Sequence, residues 1–180
     1  MASILNVDSI RNAAGTSALT IDSSGRVTMA NTVEIDQWSL SASFSTNTAT
    51  ITGWIRQAHA FGGYAGTGMS QSSGVFTFPS TGLWKVSGHF LIVAASGDTS
   101  CGLETYVSSD SGSNYTSIGG VFESQNTNTS GSFHQLINVT NASTFRFKLV
   151  TSGLNTGSSV YGFADRDYST LIFERTTDAQ

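Results

Sequence analysis

The chain has 180 residues, a formal net charge of −4 and a single cysteine, Cys101. That length supports one sizeable core, or one core with a small appendage. Its eight Lys and Arg residues are scattered along the chain, which excludes a clustered basic face for nucleic acid, and no apolar run approaches the roughly 20 residues of a membrane helix.

Residues 1–33 differ in character from the rest. Short aliphatic clusters (Ile4, Leu5, Val7 and Ile10; Leu19 and Ile21; Val27 and Met29) stand between small polar residues, with no aromatic among them. So few apolar groups cannot build a core of their own, so this segment is expected to be an extended β arm that buries its aliphatics against another surface. Leu5, Val7, Ile10, Leu19, Ile21 and Val27 are the residues expected to make that contact. Asp22-Ser23-Ser24-Gly25 reads as the turn of a small hairpin between 18–21 and 26–29.

From Glu34 to the C-terminus the sequence reads as one all-β domain. Only 11% of residues are charged, against about 25% in a typical soluble domain. Ser, Thr, Asn and Gly supply the polarity, and no stretch has helical periodicity. Strands are expected at 38–44, 48–55, 75–78, 83–93, 102–107, 115–122, 132–139, 145–150, 160–163 and 169–175, a count and spacing that suit a two-sheet antiparallel sandwich. In 83–93 the residues Trp84, Val86, Phe90 and Ile92 share one face, while Lys85, Ser87 and His89 share the other. Phe145, Phe147 and Leu149 alternate with Arg146 and Lys148, and Leu171 and Phe173 with Ile172 and Glu174. Phe76, Phe78, Trp84, Val86, Phe90, Phe145 and Phe147 are the expected core. Pro79, the one proline, and Gly82 permit a hairpin-like reversal between Phe78 and Leu83.

The pattern Gly74-x-Phe76-x-Phe78-Pro79-x-x-Gly82-x-Trp84-x-Val86 resembles the signature strand pair of C1q/TNF-like jelly-roll domains. Tyr168-Ser169-Thr170-Leu171-Ile172-Phe173 resembles the closing strand of the same family. The resemblance implies a jelly-roll sandwich that forms homotrimers, with Trp38, Tyr168 and Phe173 as candidates to face the three-fold axis. A second resemblance lies in Met1–Ile10 and Ala18–Val27, and in Asp36–Leu40 and Gly66–Gly74. These segments are similar to structural proteins from tailed phages of aquatic bacteria. The region from Cys101 to Thr140 resembles nothing we can name.

Nothing in the sequence assembles a catalytic constellation. His59, His89 and His134 stand at no metal-ligand spacing from one another, from Cys101 or from a carboxylate cluster, so no metal and no cofactor are expected. Asp165-Arg166-Asp167 reads as a solvated turn into the last strand rather than as an acid/base pair. Residues 62–68 are glycine-rich but lack the lysine and the following helix of a phosphate cradle. Cys101 reads as a small buried hydrophobe, since no basic neighbour would lower its pKa. An enzyme such as a glycan depolymerase would need paired carboxylates in a groove, and nothing pairs Glu104 with Glu123. Four Asn-x-Ser/Thr sequons, at Asn114, Asn128, Asn138 and Asn141, accompany no basic and apolar leader, so assembly is expected in the host cytoplasm and residence in the virion.

The expectation is therefore a non-enzymatic virion protein. In the leading reading it is a homotrimeric capsid decoration (cement) protein that binds the major capsid protein through its arm and projects its jelly roll outward. The alternative is a short tail fibre mounted on a tail protein. Its loops 108–113, 125–131 and 152–159, with Tyr115 beside them, would then contact a host receptor or glycan.

Overall fold

A computed structural model describes residues 8–15, 17–29, 33–56, 62–123 and 128–180. They contain no helix and divide into two units, Met1–Val33 and Glu34–Gln180.

In the first unit, β1 (Ser9–Arg11), β2 (Ser17–Ile21) and β3 (Val27–Met29) form a three-stranded antiparallel sheet. The expected hairpin is its second half, with Ile21 opposite Val27 and Leu19 opposite Met29. Asp22 closes the turn: its Oδ1 accepts the backbone N–H groups of Ser24 and Arg26 at 2.9 Å each. The Arg26 N–H leads the contacts that hold the Asp22 carboxyl below its ordinary value.

The second unit contains β4 (Ile35–Leu40), β5 (Ala42–Phe44), β6 (Trp54–Arg56), β7 (Ser70–Ser72), β8 (Val75–Thr77), β9 (Gly82–Val93), β10 (Cys101–Ser108), β11 (Thr116–Glu123), β12 (Asn128–Val139), β13 (Arg146–Ser152), β14 (Ser159–Phe163) and β15 (Thr170–Thr177). They make two antiparallel sheets. The five-stranded sheet runs β11-β10-β13-β8-β7. The seven-stranded sheet runs β5-β14-β9-β15-β4-β6, with β12 on the other edge of β9. The chain crosses between the two layers after β6, β8, β9, β11, β12 and β13, which makes the unit a jelly-roll sandwich.

Strand alternation explains the core. On β9, Trp84, Val86, Phe90 and Ile92 are buried, while Lys85 and His89 are exposed. Phe76 from the five-stranded sheet meets Trp38, Trp54 and Phe173 of the seven-stranded sheet at ring-centroid distances of 5.5, 6.0 and 5.0 Å. Phe147 adds an edge contact to Phe173 at 5.7 Å. Of the expected core residues only Phe145 is less than buried; it packs against the core from its margin.

Three local readings need correction. The Phe78–Leu83 reversal is not a hairpin: β8 pairs β13 and β7, whereas β9 pairs β12, β14 and β15. It is a corner between the two sheets, because Phe78 and Trp84 both point inward and their rings pack together at 5.4 Å. The expected strand at 48–55 is mostly loop. Thr50 bridges Val150, Gly53 turns the chain at φ +84°, and Trp54 then enters the core. The expected 38–44 strand breaks at Ser41 into β4 and β5.

Trp38 and Phe173 were expected at a three-fold interface, and the structure places both inside the protomer. Phe173 has no exposed surface, and Trp38 retains 8%. Both lie at inward positions of β15 and β4, where the alternation that buries Leu171 and Leu40 also buries them. Neither is available to a second chain.

Candidate interaction surfaces

The first unit exposes what a folded sheet normally hides. Ile10 is 52% exposed and Val27 55% exposed, while Leu19 and Ile21 are half-buried. Leu5 and Val7 lie outside the described residues. Three short strands have one face at most to shield, and no aromatic is present in residues 1–33 to cover it.

A second candidate surface is the outward face of the seven-stranded sheet, where Leu136 stands exposed among polar side chains. Register fixes its members: Lys85 lies opposite Leu136 and Glu174, and Ile172 opposite Ser87 and Gln37. All point away from Trp84 and Phe173. Leu136 is 65% exposed, and Lys85 and Glu174 form a long surface pair at 3.8 Å. At the far end of this face Tyr168 packs edge-on to Tyr161 at 5.2 Å and to Phe163 at 6.4 Å. Arg166 lies 5.8 Å from the Phe163 ring centre and donates to the Tyr168 hydroxyl at 3.4 Å. That hydrogen bond leads the interactions that raise the Arg166 pKa. Tyr168 is thus the expected interface residue that does lie on an outer surface. Sequence reasoning missed Tyr161 and Phe163, although their alternation with Val160 and Gly162 carries the signal.

The acidic turn is built differently from expectation. Asp165 is exposed beside Arg166, but Asp167 reaches back onto β4, where it accepts from Gln37 Nε2 at 2.8 Å and from the Ser39 hydroxyl. It anchors the turn. The glycine-rich loop is anchored too. Asp36, 1% exposed, accepts from Arg56 Nε and Nη2, from Trp38 Nε1 at 3.0 Å and from the Met69 backbone N–H at 2.7 Å. The Arg56 guanidinium lies between the Trp38 and Tyr64 rings, 4.7 and 4.5 Å from their centroids. Sequence gave no sign of this pairing across 20 residues.

Among the described residues no group of three His, Cys, Asp or Glu side chains could hold a metal ion. His89 and His134 are exposed on the outward face of the seven-stranded sheet, His134 Nδ1 lying 3.0 Å from the Ser87 hydroxyl. His59 lies outside the described residues. Cys101 is buried, its thiol beside the Asp98 carboxylate.

The loops singled out as receptor contacts behave unequally. Residues 108–113 form a turn organised by Asp110, which accepts from the Ser108 hydroxyl and from the Asn114 backbone and side chain. These bonds, Ser108 foremost, hold the Asp110 carboxyl down to about 2. In 152–159, buried Asp98 accepts from Ser158 and from the Asn155 N–H. Residues 125–127 lie outside the described residues, and 128–131 belong to β12. Tyr115 is half-buried under Lys148, whose Nζ stands 3.9 Å from its ring centre; burial raises its pKa.

No protein-family model matches the chain, and no curated protein matches it. Solved structures do. Murine APRIL at pH 8.0 superposes with a TM-score of 0.59 at 8% identity, over 80% of this chain and 99% of that one. Eiger TNF from S. frugiperda superposes with a TM-score of 0.56 at 11% identity, over 83% and 96%. The second unit therefore has a TNF-like jelly-roll fold. Identity this low establishes the fold alone.

Proposed function

We propose that this chain is a structural protein of a tailed-phage virion, a homotrimeric capsid decoration protein whose N-terminal unit binds the major capsid protein and whose jelly roll projects outward. The observation that carries the reading is the exposure of Ile10 and Val27 on a sheet too small to enclose them. Such aliphatics gain about 25 cal/mol for each Å² they bury against a capsid surface. The resemblance of residues 1–10 and 18–27 to phage structural proteins supports the particle as that surface. Trimerisation is supported by the TNF-like fold and by the outward face carrying Leu136, Ile172 and Tyr168. Joining three arms in one trimer makes their attachments cooperative, so each arm can bind weakly while the trimer stays bound. The protein acts by covering and clamping, not by catalysis, and its residence is the virion after assembly in the host cytoplasm.

Quantitative mass spectrometry of purified particles tests this reading. Copies in the hundreds per particle are the expected result. Tens or fewer would replace decoration with the tail-fibre reading, and absence from the particle would overturn both.

A further inference from the structure

Two of the three histidines, His89 and His134, stand exposed on the outward face of the seven-stranded sheet. Strand register fixes their neighbours. His89 on β9 lies opposite Ser132 on β12 and Thr170 on β15, and His134 on β12 lies opposite Ser87. The two rings are therefore diagonal neighbours across the β9–β12 pair, at a spacing of about 7–8 Å. Leu136, 65% exposed, follows His134 on the same side of β12 and lies opposite Lys85. A surface that covers Leu136 also covers His134 beside it, and reaches His89 one diagonal step further.

The charged groups around these rings are unevenly placed. Lys85 lies diagonal to His134 and is paired with Glu174 on β15 at 3.8 Å. Asp167 is held over β4 by Gln37 and Ser39, and Asp165 lies beside Arg166. In the other sheet β11, which packs beside β12, has no titratable side chain over 116–122. Among the described residues no carboxylate stands opposite or diagonal to either imidazole. His134 Nδ1 meets the Ser87 hydroxyl at 3.0 Å, a partner that donates to the neutral ring and accepts from the protonated one. An imidazole changes charge between about pH 5 and 8. A charge gained here has a lysine and a second imidazole as neighbours and no anion.

From this arrangement we infer that His89 and His134 form an acid-sensitive latch in the trimer interface, closed while both rings are neutral and opened by their protonation. The latch rests on the proposed trimer with Leu136 at its interface. Closing three copies over this face buries two imidazoles from each. A charge buried without a partner is unfavourable, so the separated chains bind more protons than the trimer does, and association weakens as pH falls. The Lys85–Glu174 pair is internally balanced and does not offset the added charge.

Sedimentation velocity of the full-length protein at about pH 7.5 and about pH 5, at matched ionic strength and over a range of concentrations, tests the latch. The concentration at half-dissociation should rise about tenfold or more at the lower pH. Near-ultraviolet circular dichroism should be unchanged, and the trimer should return when the pH is restored. The His89→Gln, His134→Gln double variant keeps His59 and every carboxylate, and should stay trimeric at both pH values; Glu174→Gln should keep the parent's response. Should the double variant fail to fold, the two single variants, each expected to diminish the response, carry the test. A parent trimer equally stable at both pH values would overturn the latch and leave the trimer standing. A response undiminished in the histidine variants would trace it to other groups and overturn the latch as well. A parent that is monomeric at the higher pH would remove the trimer, and the latch with it.

Discussion

Replacing Phe76 with alanine should be among the most damaging single substitutions in the second unit. Its ring has no exposed surface and joins the two layers, touching Trp38, Trp54 and Phe173 at 5.0 to 6.0 Å. Emptying an aromatic core site costs about 3–5 kcal/mol, from lost transfer energy and from the cavity left behind. Three aromatic partners, worth about 0.5–1.5 kcal/mol per pair, put Phe76 at the upper end of that range, near ~5 kcal/mol. Phe76→Leu, which keeps most of the volume, should cost about 1–2 kcal/mol. For a unit of this size the alanine variant should melt about 10–20 °C lower. Urea unfolding followed by tryptophan fluorescence is a suitable assay, since Trp38 and Trp54 both contact the site, with protein concentration held fixed so that self-association does not move the midpoint. Lys85→Ala, which loses only an exposed pair at 3.8 Å, should fall within about 0.5 kcal/mol of the parent. A loss below about 1 kcal/mol for Phe76→Ala, or one no greater than that of Lys85→Ala, would refute the packing described here.

Further outcomes follow from the polar anchors and the outer face. Asp36→Ala should cost about 3–5 kcal/mol in the same assay, because it strands the Arg56 guanidinium and leaves the Trp38 indole and Met69 N–H without their acceptor. Asp98, whose carboxyl is held below its ordinary 3.8 chiefly by the Ser158 hydroxyl, contributes stability that is complete above the unfolded value and vanishes as pH falls through the lower folded one. Asp98→Asn should therefore be less stable than the parent at pH 7, with the gap narrowing below about pH 4 in pH-dependent melting curves. If Leu136 and Tyr168 lie at a three-fold interface, the parent should sediment at three times the 18.9 kDa chain mass, and the Leu136→Glu, Tyr168→Ser double variant should run as a folded monomer. A monomeric parent at micromolar concentration would remove the trimer.

The sandwich was legible because its strands advertise themselves in different ways. Alternation in Trp84–Ile92 and in Arg146–Leu149 names the buried face directly, and the 74–86 motif carried the jelly-roll resemblance. Partners were less legible. Phe173 and Trp38 look like interface aromatics in sequence, yet period-two alternation cannot say whether an apolar face meets its own second sheet or another chain. Phe78–Leu83 has the residues of a hairpin, but only the inward aim of both Phe78 and Trp84 makes it a corner between layers. The Asp36–Arg56 pair comes from strands brought together by topology.

The proposed role is tested most directly by adding purified protein to phage particles that lack it and sedimenting them. The full chain should sediment with the particles, whereas residues 34–180, which contain the whole sandwich core, should stay in the supernatant, as should a full chain carrying Leu5, Val7 and Ile10 replaced by serine. Equal binding by residues 34–180, or no binding by the full chain, would contradict the account.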